Sequence, residues 1–532
     1  MAEAAPSLTL AEQQGLVAAL FAALRSREPE AQATLVETHI SFVLLVGARA
    51  YKIKKAVNPG FLDFTTPALR RFYCDEELRL NRRTAPALYV EVLPVTGSIA
   101  RPRLGGAGPP LDWVLVMRAF AQDGLWDRLA ARGALLPVHV DALAASLVAF
   151  HHHAALAAPD CAWGQPPRVR APLLDTLRAL RTLCTAAGEQ ARIDTLARRE
   201  AAAFGALQAV FAERLRQGFV RECHGDLHLG NVTLVDGRTT MFDALEFSSA
   251  LRWTDVMSDV AFMAMDLHAH GLARLAHRFV NAWVEGSGDV AGLRVLRYHC
   301  VYRALVRARV AALRRDQAGQ AHADVAAAAH YLDVALAFSR PAARPALIIT
   351  HGCSGSGKTL ATQSLLELCG AIRLRADVER KRLFGLSALA HSDPASKTRL
   401  YAPAATQATQ ARLREAAALA LASGYAVILD ATFLAYAQRR AARALARRLG
   451  VPFVIVDFQA SAATLRERVV QRLRRADDAS EADLAVLQDQ LAQAQALRAD
   501  EAGAVLVYDA EPAFDEDSAA ARWAPLLQRL RA

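Results

Sequence analysis

Two folds in tandem are expected from this sequence: an α+β N-terminal part, β-rich first and helical after, then an α/β part built on a parallel sheet. Three observations carry that expectation. Residues 352–359 read Gly-Cys-Ser-Gly-Ser-Gly-Lys-Thr, the pattern G-x-x-x-x-G-K-[ST]. They lie between an apolar, β-branched run (Ala346 to Thr350) and a stretch with helical apolar spacing (Leu360 to Leu368). From there on, strand-like runs near 346–350, 371–375, 426–430, 453–457 and 504–508 alternate with helical stretches, which implies a parallel sheet covered on both faces. Before the motif, β-rich runs crowd residues 38–117, and from Asp123 to about Ser339 the pattern is helical with one interruption.

At 532 residues the chain exceeds what one core can organise. Ser339-Arg340-Pro341-Ala342-Ala343-Arg344-Pro345, with two prolines after a long Ala-rich helical stretch, reads as a linker. The expected domains are therefore 1–338 and 346–532, joined by 339–345. The formal net charge is +10, with much of the excess on Ala-rich helical stretches (Arg439, Arg440, Arg443, Arg447, Arg448). That favours a solvated basic face over nucleic-acid binding. Seven scattered cysteines without a C-x-x-C pair suggest reduced thiols in a cytoplasmic protein. The N-terminal stretch lacks a basic segment followed by an apolar core, so no secretory signal is expected. The longest apolar stretch, Ala416 to Leu429, is broken by Ser423-Gly424 and reads as a helix end, a capping glycine and a strand, so no membrane span is expected.

Taken in order, residues 1–30 suggest one helix starting after Ser7 or Thr9. Thr38 to Val46 and Arg49 to Val57 form a hairpin around Gly47. Strand alternation puts Ala50, Lys52 and Lys54 on one face and Tyr51 and Ile53 on the other. A lysine two residues after a small one is how a V-A-I-K strand offers a flat floor to adenine and an ammonium to phosphates. The helical stretch Ala68 to Thr84 follows. Either Glu76 or Glu77 is placed to pair with Lys52, and Glu76 is taken as the partner. Leu88 to Pro94 and Asp112 to Met117 read as strands, with a loop from Arg101 to Pro110.

The interruption in the helical region runs from Val220 to Glu246. His224-Gly225-Asp226 precedes Asn231, two β runs flank Asp236-Gly237, and Asp243 ends the second run. Phosphoryl transfer of the kinase type needs an aspartate to take the acceptor's proton, an asparagine for Mg²⁺, and a second metal-binding aspartate beyond a hairpin. H-x-D-x-x-x-x-N followed by Asp243 supplies all three. His151-His152-His153 point around a helix in different directions and are not expected to bind metal. Asp255, Asp266, His268 and His270 are candidates for an acceptor cleft.

With these residues in view, 35–335 resembles the aminoglycoside phosphotransferase-like branch of the protein-kinase fold, whose signature reads HGDLHLGN here. The resemblance implies a small β-rich lobe, a helical lobe and ATP between them. Carried over by position, it makes Asp226 the catalytic base, Asn231 and Asp243 the Mg²⁺ ligands and Lys52 the phosphate contact. Asp259 is similar to an aspartate that braces the catalytic loop. Departures are Leu229 where the family often has proline, no glycine-rich lid before Lys52, and no arginine directly before Asp226. The last points away from regulation by activation-loop phosphorylation and to a small-molecule acceptor rather than a protein.

In the second part, Gly352, Gly355 and Gly357 let the backbone amides of the loop, which also holds Cys353, Ser354 and Ser356, turn inward around phosphate oxygens. Lys358 is expected on the β- and γ-phosphates and Thr359 on Mg²⁺. Val427 to Asp430 is an apolar strand ending in the Walker B aspartate, Asp430. Ala431-Thr432 follows instead of a water-activating glutamate, which favours phosphoryl transfer over mechanical work. Residues 346–532 resemble P-loop kinases of the zeta-toxin-like and polynucleotide-kinase-like branch. There Asp377 corresponds to an aspartate that activates the acceptor hydroxyl, with an N-cap role as the competing reading. Arg468 and Arg472, four apart on one helix face, resemble lid arginines, against a plain basic stripe. The joined pair resembles bacterial proteins described as an aminoglycoside phosphotransferase-like domain fused to an ATP-binding domain. The expected function is ATP- or GTP-dependent, Mg²⁺-assisted phosphorylation of small-molecule hydroxyl groups. Two alternatives stand beside it: a P-loop half that gates the other without transferring phosphate, and an end kinase acting on RNA.

Overall fold

The computed structural model describes residues 8–58, 60, 62–317, 322–340, 345–390, 393, 399–475 and 478–531. Of the expected linker 339–345, positions 341–344 lie outside the described residues. The chain divides into two compact units, Met1–Asp175 with Phe211–Asp266, and Thr176–Val210 with Leu267–Ala532. Among the described residues no helix is long and apolar enough to cross a membrane.

In the first unit, a six-stranded sheet runs in the order β1-β2-β3-β6-β4-β5, with β1 Ala33–Glu37, β2 Ser41–Val46, β3 Arg49–Lys54, β4 Tyr89–Ser98, β5 Arg101–Leu104 and β6 Asp112–Arg118. All neighbours are antiparallel. The helix Leu10–Arg27 starts at Thr9, whose hydroxyl accepts from the Glu12 amide while the Glu12 carboxylate reaches back, a capping box. Its buried Leu16, Val17, Leu20 and Leu24 pack on Leu44, Tyr51, Ile53 and Val116. On the opposite face Ala50, Leu115 and Met117 pack with Cys74 from the helix Pro67–Asn81 and with Leu88 and Tyr89. The alternation read along β3 is therefore real, with Tyr51 and Ile53 on one side and Ala50 on the other. Two strands were not expected. β1 is largely exposed, and β5 reads Arg-Pro-Arg-Leu at the other edge, where a proline leaves no ladder bond broken.

Beyond the sheet, β7 Val220–Glu222 pairs antiparallel with β10 Trp253–Asp255. β8 Val232–Val235 and β9 Arg238–Met241 form the expected hairpin. Its turn residues Asp236 (φ +50°) and Gly237 (φ +75°) both take the left-handed conformation that a tight two-residue turn needs.

The second unit holds a five-stranded parallel sheet in the order β12-β13-β11-β14-β15, with β11 Leu347–His351, β12 Ile372–Arg375, β13 Val427–Asp430, β14 Phe453–Gln459 and β15 Val505–Asp509. The five expected runs are these five strands. Ile348, Ile428 and Val456 pack against Leu365 of the helix Lys358–Cys369 and Trp523 of the helix Glu516–Arg531. β13 and β14 flank β11, and the connection from β11 to β12 leaves it on one side while that from β13 to β14 crosses to the other. The crevice beyond the strand ends opens at this switch point, where such sheets bind ligands.

Candidate functional site

The first unit assembles its site on β3 and the helix Pro67–Asn81. That helix buries Arg70, Cys74, Glu77 and Asn81, positions spaced by four, three and four residues along one face. Glu77 therefore points at the sheet. Its Oε1 lies 2.7 Å from Lys52 Nζ and its Oε2 2.6 Å from Lys54 Nζ. This corrects the pairing of Lys52 with Glu76. One position along a helix is a turn of about 100°, and Glu76 meets Arg79 at 2.8 Å and Arg252 at 3.4 Å instead. Lys52 Nζ also contacts Asp243 Oδ1 at 2.8 Å, and Lys54 pairs with Glu246. Burial works to raise the Glu77 pKa, but the two lysines overrule it and keep the group ionised. Burial likewise opposes the Lys52 charge, and Asp243 and Glu77 outweigh it.

The loop from His224 to Asn231 is held from below. Asp259 accepts from the His224 amide (2.8 Å) and the Gly225 amide (2.9 Å), and its Oδ2 is 3.2 Å from His151 Nε2. Burial pushes the Asp259 pKa up, and the His151 hydrogen bond leads the contacts that bring it down to about 2. The bracing place given to Asp259 matches this geometry, and His151, first of the three histidines, is buried on it. The buried Leu229 sits where the resemblance leads one to expect proline, and its amide donates to Asp266 at 3.0 Å. Asn231 Nδ2 donates to Asp226 O (2.9 Å) and Asp226 Oδ2 (3.1 Å). Backbone bonds from Phe242 to Asn231 O and from Leu245 to His224 O tie the Asp243 end of the hairpin to the loop. Asp243, at φ +59°, donates its amide to the Tyr89 hydroxyl. A non-glycine residue in that conformation is uncommon and aims the carboxylate back at Lys52.

His228 was not singled out in the sequence. Its Nδ1 accepts from the Gly230 amide at 3.0 Å, which leaves Nε2 as the protonated nitrogen, 3.6 Å from Asp226 Oδ2. The histidine inside HGDLHLGN was the available signal. Asp255 and Asp266, offered as cleft residues, are instead buried. Asp255 takes Arg214 through two contacts of 2.5 and 2.8 Å, and Asp266 serves the Leu229 amide.

In the second unit the loop Gly352–Gly357 joins β11 to the helix Lys358–Cys369. Gly352 (φ +141°) and Gly355 (φ +86°) admit no side chain, because a Cβ would sit 2.9 Å from Phe458 O and 2.7 Å from Leu465 O respectively. Lys358 folds over the loop, donating to Gly352 O (2.9 Å), Cys353 O (2.7 Å) and Ser356 Oγ (3.1 Å). Burial depresses its pKa to about 8. Thr359 Oγ1 donates to Asp430 Oδ2 at 2.7 Å. Cys353 packs with Leu465, Val469 and Leu487, and the Ser354 amide donates to Gln490 Oε1 at 2.7 Å. Gln490 is a second residue not expected from the sequence, and unlike His228 it has no local signal, reaching the loop from 136 positions away.

A cavity of about 310 Å³ lies over this loop, lined by Lys358, Thr359, Asp377, Asp430, Arg468 and Arg472 among others. The structure brings all six expected residues to one place. Asp377 is the second residue of the helix Ala376–Leu383, whose N-cap is Arg375, so the N-cap reading does not hold. Its Oδ1 takes Arg380 at 2.7 Å. Arg468 donates to Ala510 O and Arg472 to Ala482 O. The buried Arg472 Nε has no protein partner among the described residues.

Two family profiles match the chain. The phosphotransferase enzyme family covers residues 73–299, and the AAA domain covers 347–497. An uncharacterized protein of Mycobacterium tuberculosis strain H37Rv is 30% identical over 446 residues, 84% of this chain and 87% of that protein. The chain belongs to this two-domain family. Among solved structures, a choline/ethanolamine kinase family protein from Mesorhizobium loti covers 61% of this chain and 94% of its own at 14% identity and TM-score 0.39. A gluconokinase from Sinorhizobium meliloti covers 35% and 97% at 22% identity and TM-score 0.24. By its two matching profiles the protein is of kinase type, a phosphotransferase-family domain followed by a P-loop domain.

Proposed function

We propose that the chain transfers phosphoryl groups from ATP, or GTP, to hydroxyl groups of small molecules, with Asp226 as the base of the first site and Asp377 as that of the second. The observation that carries the first assignment is the pair of groups Asp226–Asn231 and Asp243–Lys52–Glu77, each held by hydrogen bonds or ion pairs of 3.1 Å or less, with the Phe242 amide bonded to Asn231 O between them. Asp226 accepts the proton of the acceptor hydroxyl as the new O–P bond forms and the bond from the γ-phosphorus to the nucleoside diphosphate breaks. Asn231 orients the Asp226 carboxylate through Oδ2, the same oxygen that lies 3.6 Å from His228 Nε2. Lys52, steadied by Glu77, is the cation for nucleotide phosphates.

Both sites fit Mg²⁺ by donor chemistry. Asn231 with Asp243, and Thr359 with Asp430, offer the hard oxygens the ion prefers. The loop, whose Gly352 and Gly355 leave no room for a Cβ, fits phosphate oxygens. A bound Mg²⁺ would neutralise charge on the phosphate oxygens. In the second site Lys358 is poised to trade loop carbonyls for phosphate oxygens, and Arg468 and Arg472 flank the cavity where transferring charge develops.

The test is product analysis by mass spectrometry after full chain and ATP are incubated with a panel of sugars, amino alcohols, nucleosides and 5′-hydroxyl oligonucleotides. Asp226→Asn should cut one set of phosphorylated products by about 10²–10⁴-fold, Lys358→Ala should remove the other, and the double variant should make only the remnant of the first set left by Asp226→Asn. Products that persist at the level of the unaltered chain in the double variant would overturn the assignment, and products confined to oligonucleotides would replace the small-molecule reading with end phosphorylation of RNA.

A further inference from the structure

The segment matched by the phosphotransferase family ends at residue 299. Within the second unit its helix Ala273–Ser287 nevertheless packs on the helix that follows the phosphate loop and on β12. β12 is an edge strand, whose outward amides lack a ladder partner. Asn281, itself buried, supplies one: its Oδ1 accepts from the Arg373 amide at 2.7 Å. Four residues on, Glu285 Oε1 stands 3.6 Å from Arg375 Nη1. Four residues of helix rise about 6 Å and two residues of strand about 6.6 Å, so the 281/285 pair and the 373/375 pair lie in register.

Both arginines lead to the phosphate loop. The buried Arg373 guanidinium donates to Thr359 O (2.6 Å) and Gln363 Oε1 (2.8 Å). Arg375 lines the cavity and donates to Asp478 Oδ1 at 2.6 Å, so it stands between Glu285 and the segment that follows the Arg468–Arg472 helix. The rest of the seam is polar and close. Glu367 takes Arg278 at 2.8 Å, its carbonyl meets His277 Nδ1 at 2.8 Å, and the His277 ring lies 3.0 Å from where a Cβ on Gly370 would stand.

We propose that Asn281 and Glu285 are positioning residues of the P-loop site, acting through Arg373 and Arg375, so that the phosphotransferase-family segment sets the geometry of the second nucleotide site. Asn281 fixes the edge of β12, Arg373 holds the Thr359 carbonyl from that edge, and the Thr359 hydroxyl faces Asp430 where the cation is expected. Glu285 holds Arg375 against the cavity wall. The inference rests on the reading of 352–359 as a Mg²⁺-nucleotide site.

The experiment uses the full chain carrying Lys52→Met, which silences the first site, and calorimetric titration with ATP, with and without Mg²⁺. Asn281→Leu should cut the gain in ATP affinity that Mg²⁺ brings by about five- to tenfold, the size expected from one lost buried hydrogen bond. Asn281→Asp keeps an acceptor oxygen and should recover that gain to within about twofold. Glu285→Gln should reduce it about threefold or more with ATP affinity in chelator unchanged. Equal weakening with and without Mg²⁺, failure of Asn281→Asp to rescue, or no change in Asn281→Leu and Glu285→Gln would each overturn the proposal and leave the seam as packing alone. Lys358→Ala in the same background separates the two readings. If ATP affinity does not depend on Lys358, the nucleotide-site reading fails first and the positioning role falls with it.

Discussion

Replacing Glu77 by Gln should do far more damage than the same change at its neighbour Glu76. The Glu77 carboxylate is fully buried between Lys54, 1% exposed, and Lys52, 16% exposed. Removing one partner of a buried ion pair costs about 3–5 kcal/mol. Lys52 keeps Asp243 and Lys54 keeps Glu246, so the lower end, about 3 kcal/mol, applies. In a domain of this size that lowers the melting temperature by about 6–12 °C. Glu76 shares a partly exposed pair with Arg79 and a longer 3.4 Å contact with Arg252, which keeps Glu222, so its loss costs about 1 kcal/mol. Thermal melts of the full chain, with hydrogen exchange read on peptides from 49–54 and 67–81, assign the transition to the first unit. In a Lys358→Ala background, Glu77→Gln should also lower kcat/KM for ATP by about 10–100-fold through a misplaced Lys52. Because the folded pKa of Glu77 lies below its unfolded value, its stabilisation is present above about pH 4.3 and lost as the pH falls through the folded value. Glu77→Gln should flatten that acid limb. Equal effects at 76 and 77, or a larger one at 76, would refute the placement of Glu77 as the partner of Lys52.

Other outcomes follow from the P-loop geometry. Lys358 titrates at about 8 in the free site, and phosphate favours its charged form. In a Lys52→Met background ATP affinity should therefore be level below pH 8 and fall by up to about tenfold per pH unit above it, whereas affinity constant to pH 9.5 would contradict this. Gly355→Ala, at φ +86° and with its Cβ 2.7 Å from Leu465 O, should weaken ATP binding there by about tenfold or more. Gly237→Ala, strained at φ +75° but open to solvent, should leave that affinity unchanged. Calorimetry on the two variants side by side checks the contrast.

The second unit was legible because each strand of a parallel sheet buried on both faces is a continuous apolar run, and the five such runs became the five strands. The edges of the first sheet were not. Ala33–Glu37 is mostly exposed and carries no apolar alternation, and Arg101–Leu104 looks like a loop because only its place at the edge tolerates Pro102. Glu76 and Glu77 are adjacent and chemically alike, so composition could not separate them. The burial spacing of Arg70, Cys74, Glu77 and Asn81 does, and it was readable once the helix was placed. The pairing of Lys54 with Glu246 and of Ser354 with Gln490 spans 192 and 136 positions, and neither pair has a local pattern that announces it. The same holds for Asn281 and Glu285, whose helix reads simply as an amphipathic segment until β12 is set beside it.

The central claim is that one chain holds two nucleotide sites of unrelated construction, and the stoichiometry of a non-hydrolysable ATP analogue with Mg²⁺ tests it most directly. Calorimetry on the full chain should count two equivalents, with one left in Lys52→Met, one left in Lys358→Ala and none in the double variant. A single equivalent in the unaltered chain, abolished by either substitution alone, would contradict it.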